Sequence, residues 1–425
     1  MRRSYRIAIA AVSLVLLWAA AAPAAHIDAE LKKLLAEKGR SEVLPVLMVF
    51  PEQAEMDELE VQLDDATPSK RRRSAIAALK RKARKAQSDA WQILEDPDLP
   101  GELAYADMLY FANAIAFGAD REVILAVAEA GDHEKGAEQA ILFHDKEYEL
   151  LETRAGGAGE DLKIAREDTT WNVRWVRAPE VWSGLGYTGE GVLVGHIDTG
   201  VDLAHPDLRS RLWTDGAEVR GNGLDDDGNG YVDDVRGWDF GDGDADPSDD
   251  SASAGHGTHT AGTVVGDGHA GVQTGVAPGA WLLPVKIFTT AGTSSLGRIW
   301  AAQQYCIERG CRIITMSLGV KGDVPVPYVR NDRFNAEAIR AAGVVLVNSA
   351  GNDHLSFDPP IEPPLVIRVG QDHLAGDQDR VEGVRRRVGD EVAEGLHRAA
   401  GGRVEDVPQA PAAGAEALEV GDHHC

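Results

Sequence analysis

Two short motifs carry side chains that could work together as a catalytic pair. Residues 196–200 read His-Ile-Asp-Thr-Gly after an apolar run, so Asp198 stands at the carboxyl end of a predicted strand. Residues 255–263 read Gly-His-Gly-Thr-His-Thr-Ala-Gly-Thr and open a predicted helix, with His256 between two glycines. A histidine beside a buried carboxylate has the basicity and the fixed tautomer that a general base needs.

Each motif has a plainer interpretation when it is taken alone. An Asp at the end of a strand is often a turn former. His256 and His259 could be a pair of metal ligands, although the motif contains no Glu. The order of the two motifs, followed after a later strand by Ala350-Gly351-Asn352, favours a catalytic arrangement.

The elements around these motifs predict an α/β fold. The predicted strands are 191–197, 281–287, 311–317 and 344–349, and the predicted helices are 296–309 and 335–342. Strands that alternate with helices indicate a parallel sheet with helices on both faces. In such sheets the functional residues gather at the carboxyl ends of the strands.

The preceding region, 25–168, is charged and is predicted to be a small α+β module. Its predicted strands are 43–50, 108–117 and 140–144, and its predicted helices are 69–94 and 122–130. The helix over 69–94 carries a run of Lys and Arg on one face. This face could touch nucleic acid, but a solvated helix face fits so acidic a chain better.

Five segments between Trp171 and Asn352 resemble the subtilisin-like serine proteases, the subtilases. They read GVLVGHIDTGVDLAHPDL, GHGTHTAGTV, GVAPGAWLLPVKIF, IITMSLG and NSAGN, in the family's order. By this resemblance Asp198 is the carboxylate of the catalytic triad and His256 is the general base. The amide of Asn352 would donate to the oxyanion, and His259 would be structural.

The resemblance also implies the fold and the partners. It implies a subtilisin-like parallel sheet, incomplete at the C-terminus, in a peptidase domain over 169–370. Ser317, Leu318 and Gly319 resemble the edge strand that pairs with an extended peptide substrate. Region 25–168 resembles, less specifically, the family's pro-segment, which is an intramolecular chaperone and inhibitor.

The nucleophile of the family is not found in its expected place. A Gly-Thr-Ser-Met-Ala-like segment should follow Asn352, but the sequence has no Ser after Ser356. Residues 292–295 contain Gly-Thr-Ser-Ser, but they match the loop before a substrate-side helix. We therefore expect an endopeptidase precursor that is truncated or frameshifted before its catalytic Ser and is inactive as written. The alternative is a non-catalytic protein that binds peptides or inhibits a protease.

An acidic loop over 225–234 predicts a structural calcium site. The candidate ligands are Asp225, Asp227, Asn229, Asp233 and Asp234. The loop resembles the first half of a D-x-D-x-D/N-G pattern, but Arg236 stands where an EF-hand has its Glu. A solvated acidic turn is the alternative, and the repulsion between so many carboxylates favours a bound cation.

Composition excludes several classes of function. The chain has 425 residues, with 43 Lys and Arg against 69 Asp and Glu, and a formal net charge of −26. Such a charge argues against a general binder of nucleic acid or anionic membranes. Three cysteines are too few for a disulfide scaffold. Cys306 and Cys311 could form a bridge or pack as small apolar side chains.

The two ends of the sequence differ from the rest in amino-acid composition. Arg2, Arg3 and Arg6 precede an apolar run over 7–22 and small residues, which is typical of a cleaved secretory signal over 1–24. The alternative is that this segment stays uncleaved as a membrane anchor. No later segment of the sequence is apolar for long enough to span a bilayer. We therefore expect a secreted protein, extracellular or periplasmic. Residues 371–425 are expected to be a flexible acidic tail or an out-of-frame segment.

Overall fold

The computed structural model describes a large part of the chain. The described residues are 25–51, 53–54, 56, 63, 66–130, 139–149, 168–252, 254–319, 326–349 and 367–369. The predicted signal segment 1–24, Asn352 and the predicted tail 371–425 lie outside them. No helix within the described ranges combines the length and the apolar composition needed to cross a membrane.

The N-terminal region contains a five-stranded sheet flanked by helices. Its strands are β1 (His26–Ile27), β2 (Leu44–Val49), β3 (Leu103–Leu109), β4 (Ala114–Ala119) and β5 (Ile141–His144), and β6 (Tyr148–Glu149) follows outside this sheet. Its helices are α1 (Ala29–Glu37), α2 (Pro68–Ala86), α3 (Ser88–Leu94) and α4 (Arg121–Ala130). The strand order is β1-β5-β2-β4-β3, and all neighbours are antiparallel except β1 and β5.

Two predictions in this region were wrong about where elements break. The single strand predicted over 108–117 is the end of β3, a turn and the start of β4, with Asn113 at a positive φ of 47°. The single helix predicted over 69–94 is divided between α2 and α3 at Gln87. The buried Gln87 amide nitrogen donates to Asn113 Oδ1 at 3.0 Å and to Ala114 O at 3.2 Å. A buried amide must find such partners, so this contact fixes the position of the break.

Among the described residues, a second sheet has six strands, and all neighbouring strands in it are parallel. Its order is β13-β12-β11-β7-β9-β8. The strands are β7 (Leu193–Asp198), β8 (Trp238–Asp239), β9 (Trp281–Lys286), β11 (Ile313–Met316), β12 (Val345–Ser349) and β13 (Ile367–Val369), and the two-residue β10 is Thr293–Ser294. The helices are α5 (Trp171–Trp175), α6 (Ala178–Leu185), α7 (His256–Val265), α8 (Leu296–Glu308) and α9 (Val326–Ala341).

Helices cover both faces of this sheet, which confirms the predicted α/β class. Successive residues of a strand point to opposite faces. In β9, Leu282 joins an apolar cluster with Ala261 of α7, whereas Leu283 joins another cluster with Trp300 of α8. Because β7 lies between β9 and β11, its carboxyl end is positioned by neighbours on both sides.

The N-terminal sheet and the parallel sheet share one apolar core. Leu47 of β2 and Phe111 of the hairpin turn belong to the same buried cluster as Trp300 and Tyr305 of α8. Polar contacts reinforce it, because Asn331 of α9 donates to Ala112 O at 2.7 Å. Such continuous burial makes the N-terminal region part of the support for α8 and α9.

The two internal cysteines are free thiols. Cys306 and Cys311 are both fully buried among apolar neighbours. The structure therefore agrees with the packing interpretation and contains no bridge between these two residues.

Candidate active site

The carboxyl end of β7 meets the first residue of α7. Asp198 is the last residue of β7 and His256 opens α7, and their Oδ1 and Nδ1 atoms are 2.6 Å apart. The Thr199 backbone N–H donates to the same Asp198 oxygen at 2.8 Å. Asp198 is fully buried, and the His256 side chain remains 12% exposed. The pair thus has one buried end and one end open to a reactant.

The carboxylate sets the basicity of the imidazole. The hydrogen bond from His256 to Asp198 raises the pKa of the ring above its ordinary value, although partial burial works against this. The charge of Asp249 raises the pKa further. A base whose conjugate acid is stabilised in this way can accept a proton from a neighbouring hydroxyl.

Asp249 connects the two elements of the pair, and the sequence analysis missed it. One of its oxygens accepts from Thr199 Oγ1 at 2.8 Å, and the other accepts from the Gly255 N–H at 2.8 Å and Thr258 Oγ1 at 2.7 Å. A carboxylate at a helix N-terminus stabilises free N–H groups and the helix dipole. Asp249 therefore fixes the start of α7 relative to the residue after Asp198.

Glycine is required where α7 approaches β7. A Cβ atom built on Gly257 would lie 2.1 Å from Gly200 O, which is closer than any real contact. Gly255 has a φ of 99°, in the region that side chains disfavour. The glycines around His256 therefore permit the close approach that its hydrogen bond to Asp198 needs.

A buried lysine stands next to the pair on the neighbouring strand. Lys286 is the register partner of Asp198, and its side chain is fully buried. Its Nζ atom lies 2.5 Å from Asp239, 2.9 Å from Asp242 and 3.2 Å from Asp250. Burial works against the charge, but hydrogen bonds to these carboxylates raise the pKa of Lys286. The lysine thereby holds the acidic segment, residues 239–250, against the edge of the sheet that carries Asp198.

A pocket beside this edge is lined in part by residues of the N-terminal region. Strand β6 pairs antiparallel with β10, so that Tyr148 faces Ser294 and Glu149 faces Thr293. The pocket here is lined by Tyr148, Glu149, Ile287, Phe288, Ser294, Ser295, Ile299, Leu318 and Gly319. Of the three residues predicted to bind a peptide edge, Leu318 and Gly319 line this pocket, and Ser317 directly precedes them.

A second contact holds the same region against α8. Asp145 is buried, and its carboxylate accepts from Ser295 Oγ at 2.8 Å and from the Gly297 N–H at 3.2 Å. Burial raises the pKa of Asp145 to about 6, although the hydrogen bonds from Ser295 and Gly297 work against this. This N-terminal carboxylate therefore binds the beginning of α8.

Three carboxylates in the acidic loop could hold a cation. Oxygens of Glu218, Asp225 and Asp227 lie within 4.8 Å of one another. Glu218 is 7% exposed, and its Oε2 is buried without a hydrogen-bond partner among the described residues. Hard oxygen ligands of this kind suit calcium, and an unpartnered buried carboxylate oxygen is costly without a cation. The donor set therefore fits the predicted ion, although Glu218 was not among the predicted ligands.

The other predicted ligands have different partners. Asp234 accepts from Tyr305 Oη at 2.7 Å, and Asn229 Oδ1 accepts from the Tyr231 N–H at 2.6 Å. Asp233 accepts from the backbone of residues 222 and 223 at 3.0 Å. The structure thus brings Asp225 and Asp227 together with Glu218 and uses the remaining three candidates to shape the loop.

Comparison with known proteins identifies relatives of the region that contains this site. Residues 189–376 match the family model of the Subtilase family. Bacillopeptidase F of Bacillus subtilis (strain 168) is 32% identical over 229 residues, which are 53% of this chain and 15% of that protein. The Major intracellular serine protease of the same strain is 33% identical over 237 residues, 52% of this chain and 63% of that protein.

A further relative carries a different location in its name. The Minor extracellular protease Vpr of Bacillus subtilis (strain 168) is 31% identical over 187 residues, which are 42% of this chain and 20% of that protein. The chain spans less than two thirds of the length of each of these three relatives.

Proposed function

Because residues 189–376 form a subtilase-like domain, we propose that the chain is a precursor form of a serine endopeptidase, with its peptidase domain over 169–370. In the complete enzyme His256 takes the proton from a serine hydroxyl as that oxygen attacks the peptide carbonyl. The imidazolium then returns the proton to the leaving amine. Asp198 holds the ring in one tautomer and stabilises its positive charge.

One observation carries this proposal. The 2.6 Å contact between Asp198 Oδ1 and His256 Nδ1 commits Nδ1 to the carboxylate, so that Nε2 is the ring nitrogen that would serve a nucleophile. Since Nδ1 is committed to a buried carboxylate, the ring can act as a base only through Nε2. That is the arrangement that the nucleophilic step needs.

The remaining roles in catalysis rest on the matching motifs. Asn352 would donate its side-chain amide to the oxyanion, where one such donor is worth about 3–4 kcal/mol. Ser317, Leu318 and Gly319 would pair with the backbone of an extended peptide substrate. Leu318 and Gly319 support this role because they line the groove in which β6 already pairs with β10.

We propose that these 425 residues alone do not hydrolyse peptides, because no serine follows Ser356. Without a serine oxygen no acyl-enzyme forms. In subtilisin, loss of the catalytic Ser or His lowers kcat about a million-fold.

A fluorogenic peptide assay tests both parts of the proposal. The 425-residue chain should show no turnover above buffer. The coding DNA should then be read from the codon of Asn352 in all three frames. A frame with a Gly-Thr-Ser-Met-Ala-like segment should yield a protein whose turnover disappears in its His256→Ala variant. Turnover that survives His256→Ala would contradict the assignment of the base.

Region 25–168 is proposed to be the pro-segment that occupies the substrate groove. The support is that β6 pairs with β10 in the manner of a bound peptide and that Asp145 binds the start of α8. Tyr148→Ala should weaken this occupation, so that a labelled extended peptide binds more tightly than it does to the parent chain. Tyr105→Ala, which changes an exposed tyrosine of β3, is the matched control. Equal peptide binding by the two variants would argue against inhibition by this region.

Calcium is proposed as a structural ion of the acidic loop. Glu218, Asp225 and Asp227 would hold it, and the ion would neutralise carboxylates that otherwise repel one another. Arg309 already pairs with Asp227 at 2.5 Å, so part of that charge is balanced within the protein. Isothermal titration with calcium is the direct test, and a chain that binds no calcium would remove this part of the proposal.

Export through the segment 1–24 is also proposed. Its support is the basic start followed by an apolar run in the sequence, since the relatives include one named intracellular and one named extracellular. Expression with the native N-terminus, followed by N-terminal sequencing of protein from the medium, tests this. Retention of Met1 in protein from the cell interior would contradict it.

A non-catalytic role is the second candidate. It is favoured by the combination of a pocket lined by Leu318 and Gly319 and a sequence without a serine after Ser356. If no reading frame encodes the nucleophile, the chain should bind extended peptides without cleaving them. Mass spectrometry of the bound peptide distinguishes intact from cut ligand.

A further inference from the structure

A second histidine lies behind the catalytic carboxylate. His196 is on β7, two residues before Asp198, and is only 2% exposed. Its Nε2 atom lies 2.9 Å from Thr260 Oγ1, and Thr260 Oγ1 lies 3.0 Å from Asp198 Oδ2. The three side chains therefore form a continuous chain of hydrogen bonds. This chain of hydrogen bonds ends at Asp198 Oδ2, whereas His256 contacts Asp198 Oδ1.

Counting donors fixes the direction of this chain. The hydroxyl of Thr260 has a single proton. Backbone carbonyls of His256 and Gly257 lie 3.2 Å and 3.1 Å away, but an ionised carboxylate is the stronger acceptor. With that proton directed to Asp198 Oδ2, the hydroxyl oxygen can only accept from His196. The nitrogen Nε2 of His196 must then carry a hydrogen.

The surroundings of His196 keep its ring neutral. Burial lowers the pKa of His196, although the negative charge of Asp198 works against this. The other charged groups that act on the ring are His256, which lowers the pKa, and Asp249, which raises it. Its Nδ1 atom is buried with no hydrogen-bond partner among the described residues. An Nδ1–H there would be an orphaned buried donor, which is rarer in proteins than an unused acceptor. A neutral ring with its hydrogen on Nε2 therefore agrees with the surroundings of both ring nitrogens.

We propose that His196 and Thr260 are positioning residues, which hold the second oxygen of Asp198 through a directed Nε2–H to hydroxyl to carboxylate relay. The relay deepens the proposed function, since it bears on hydrolysis only if Asp198 and His256 are the catalytic pair. It fixes the plane of the Asp198 carboxylate and hence the direction in which His256 Nε2 points. It also draws negative charge toward Oδ2 and away from the oxygen that faces His256.

This charge displacement has a measurable consequence. If the donor to Oδ2 is removed, more negative charge stays on Oδ1, and the protonated form of His256 is stabilised. The pKa of His256 should then rise. A side chain that only filled space between β7 and α7 would alter stability without this change in titration.

The first test is the tautomer of His196 in the full chain. Protein labelled with ¹⁵N in histidine is measured by NMR at neutral pH, and the His196 signals are assigned with a His196→Leu variant. The ¹⁵N shifts should show a neutral ring with its hydrogen on Nε2. A hydrogen on Nδ1, or a doubly protonated ring, would overturn the relay because Thr260 could not then accept from His196.

The second test uses a matched pair of variants. Thr260→Val keeps the shape of the side chain and removes its hydroxyl, whereas Thr260→Ser keeps the hydroxyl. The pKa of His256, followed by the same labelling, should rise in Thr260→Val and stay at the wild-type value in Thr260→Ser. Equal His256 pKa values in the two variants would overturn the proposal. If Thr260→Val does not fold, the tautomer measured in the wild-type chain decides alone.

These readouts separate the relay from the proposed function. Neither one depends on peptide turnover or on the presence of a nucleophile. A relay found in a chain whose completed form hydrolyses nothing would contradict the proposed function only. An active enzyme with His196 in the other tautomer would contradict the relay only.

Discussion

Buried carboxylates are stabilised in two different ways on neighbouring strands of the parallel sheet. Asp198, at the end of β7, is surrounded by hydrogen-bond donors: His256, the Thr199 N–H and Thr260. Next to it on β9, Lys286 brings a buried ammonium to three carboxylates of the acidic segment. One set of contacts can exchange a proton, and the other balances fixed charges.

The difference distinguishes contacts that set the pKa of a histidine from contacts that contribute to the stability of the fold. A carboxylate that is bonded to a histidine raises the basicity of that ring, because its negative charge stabilises the protonated imidazole. A lysine whose pKa is raised by hydrogen bonds to carboxylates stays protonated at neutral and moderately alkaline pH. We therefore expect substitutions at Lys286 to change stability and substitutions around Asp198 to change titration.

The largest expected effect is at Lys286. Lys286→Met removes the cation and leaves the buried carboxylate of Asp239 without its partner, which costs about 3–5 kcal/mol in free energy of unfolding. Urea denaturation measures it. Lys146→Met, which removes a partly exposed lysine 3.7 Å from Glu30, is the control and should cost less than about 1 kcal/mol. Equal losses in the two variants would erase the distinction between the two regions.

Asp145 offers an intermediate case, because it is buried and its hydrogen-bond donors among the described residues, such as Ser295 and Gly297, are neutral. Burial raises its pKa to about 6 from an ordinary value of 3.8. The folded state therefore holds the proton more tightly than the unfolded state. The resulting stability is fully present below pH 3.8 and is lost as the pH rises through about 6. The loss is at most about 3 kcal/mol.

Unfolding measured between pH 4 and pH 7 tests this behaviour. In Asp145→Asn the decline over that range should become shallower, because the amide does not titrate. Glu147→Gln, which changes an exposed neighbour paired with Arg298 at 2.8 Å, should keep the wild-type slope. A wild-type slope that survives in Asp145→Asn would show that another group titrates.

Calcium should have a comparable or smaller effect through the acidic loop. At a free concentration about 100 times the dissociation constant, binding adds about 2.7 kcal/mol to stability. Thermal melts with calcium and with a chelator should therefore differ for the wild type and converge for Glu218→Gln. Asp226→Asn removes the same charge from an exposed neighbour outside the three-carboxylate group and should retain the calcium response. Loss of the response in both variants would contradict a site built on Glu218.

The smallest expected change is at Asp249. Asp249→Asn replaces charge-assisted hydrogen bonds to Thr199, Gly255 and Thr258 with weaker ones and should cost about 1.5 kcal/mol. Because the charge of Asp249 raises the pKa of His256, this pKa should also fall. NMR titration of Asp249→Asn against Asp202→Asn, a neighbouring acidic substitution, measures it. An unchanged His256 pKa in Asp249→Asn would limit Asp249 to a structural role.

The sequence was sufficient to predict the residues Asp198 and His256 but not the contacts that surround them. Asp198 and His256 each lie in a short continuous motif. The strand that ends at Asp198 and the helix that begins at His256 could therefore be predicted from neighbouring residues alone. Asp145 binds Ser295 across 150 positions of the chain, and no local pattern indicates such a contact. The break at Gln87 was missed for the same reason, since its partners lie in the turn before β4. That turn was read as strand because its Tyr-Phe-Ala run stays apolar.

The account depends most directly on whether Asp198 sets the basicity of His256. The measurement is the pKa of His256 by NMR in histidine-labelled full chain, compared between wild type and Asp198→Asn. The wild-type pKa should lie above 6.5, the ordinary value. In Asp198→Asn burial acts without the carboxylate, so the pKa should fall below 6.5. The same His256 pKa in both proteins would contradict the catalytic pair.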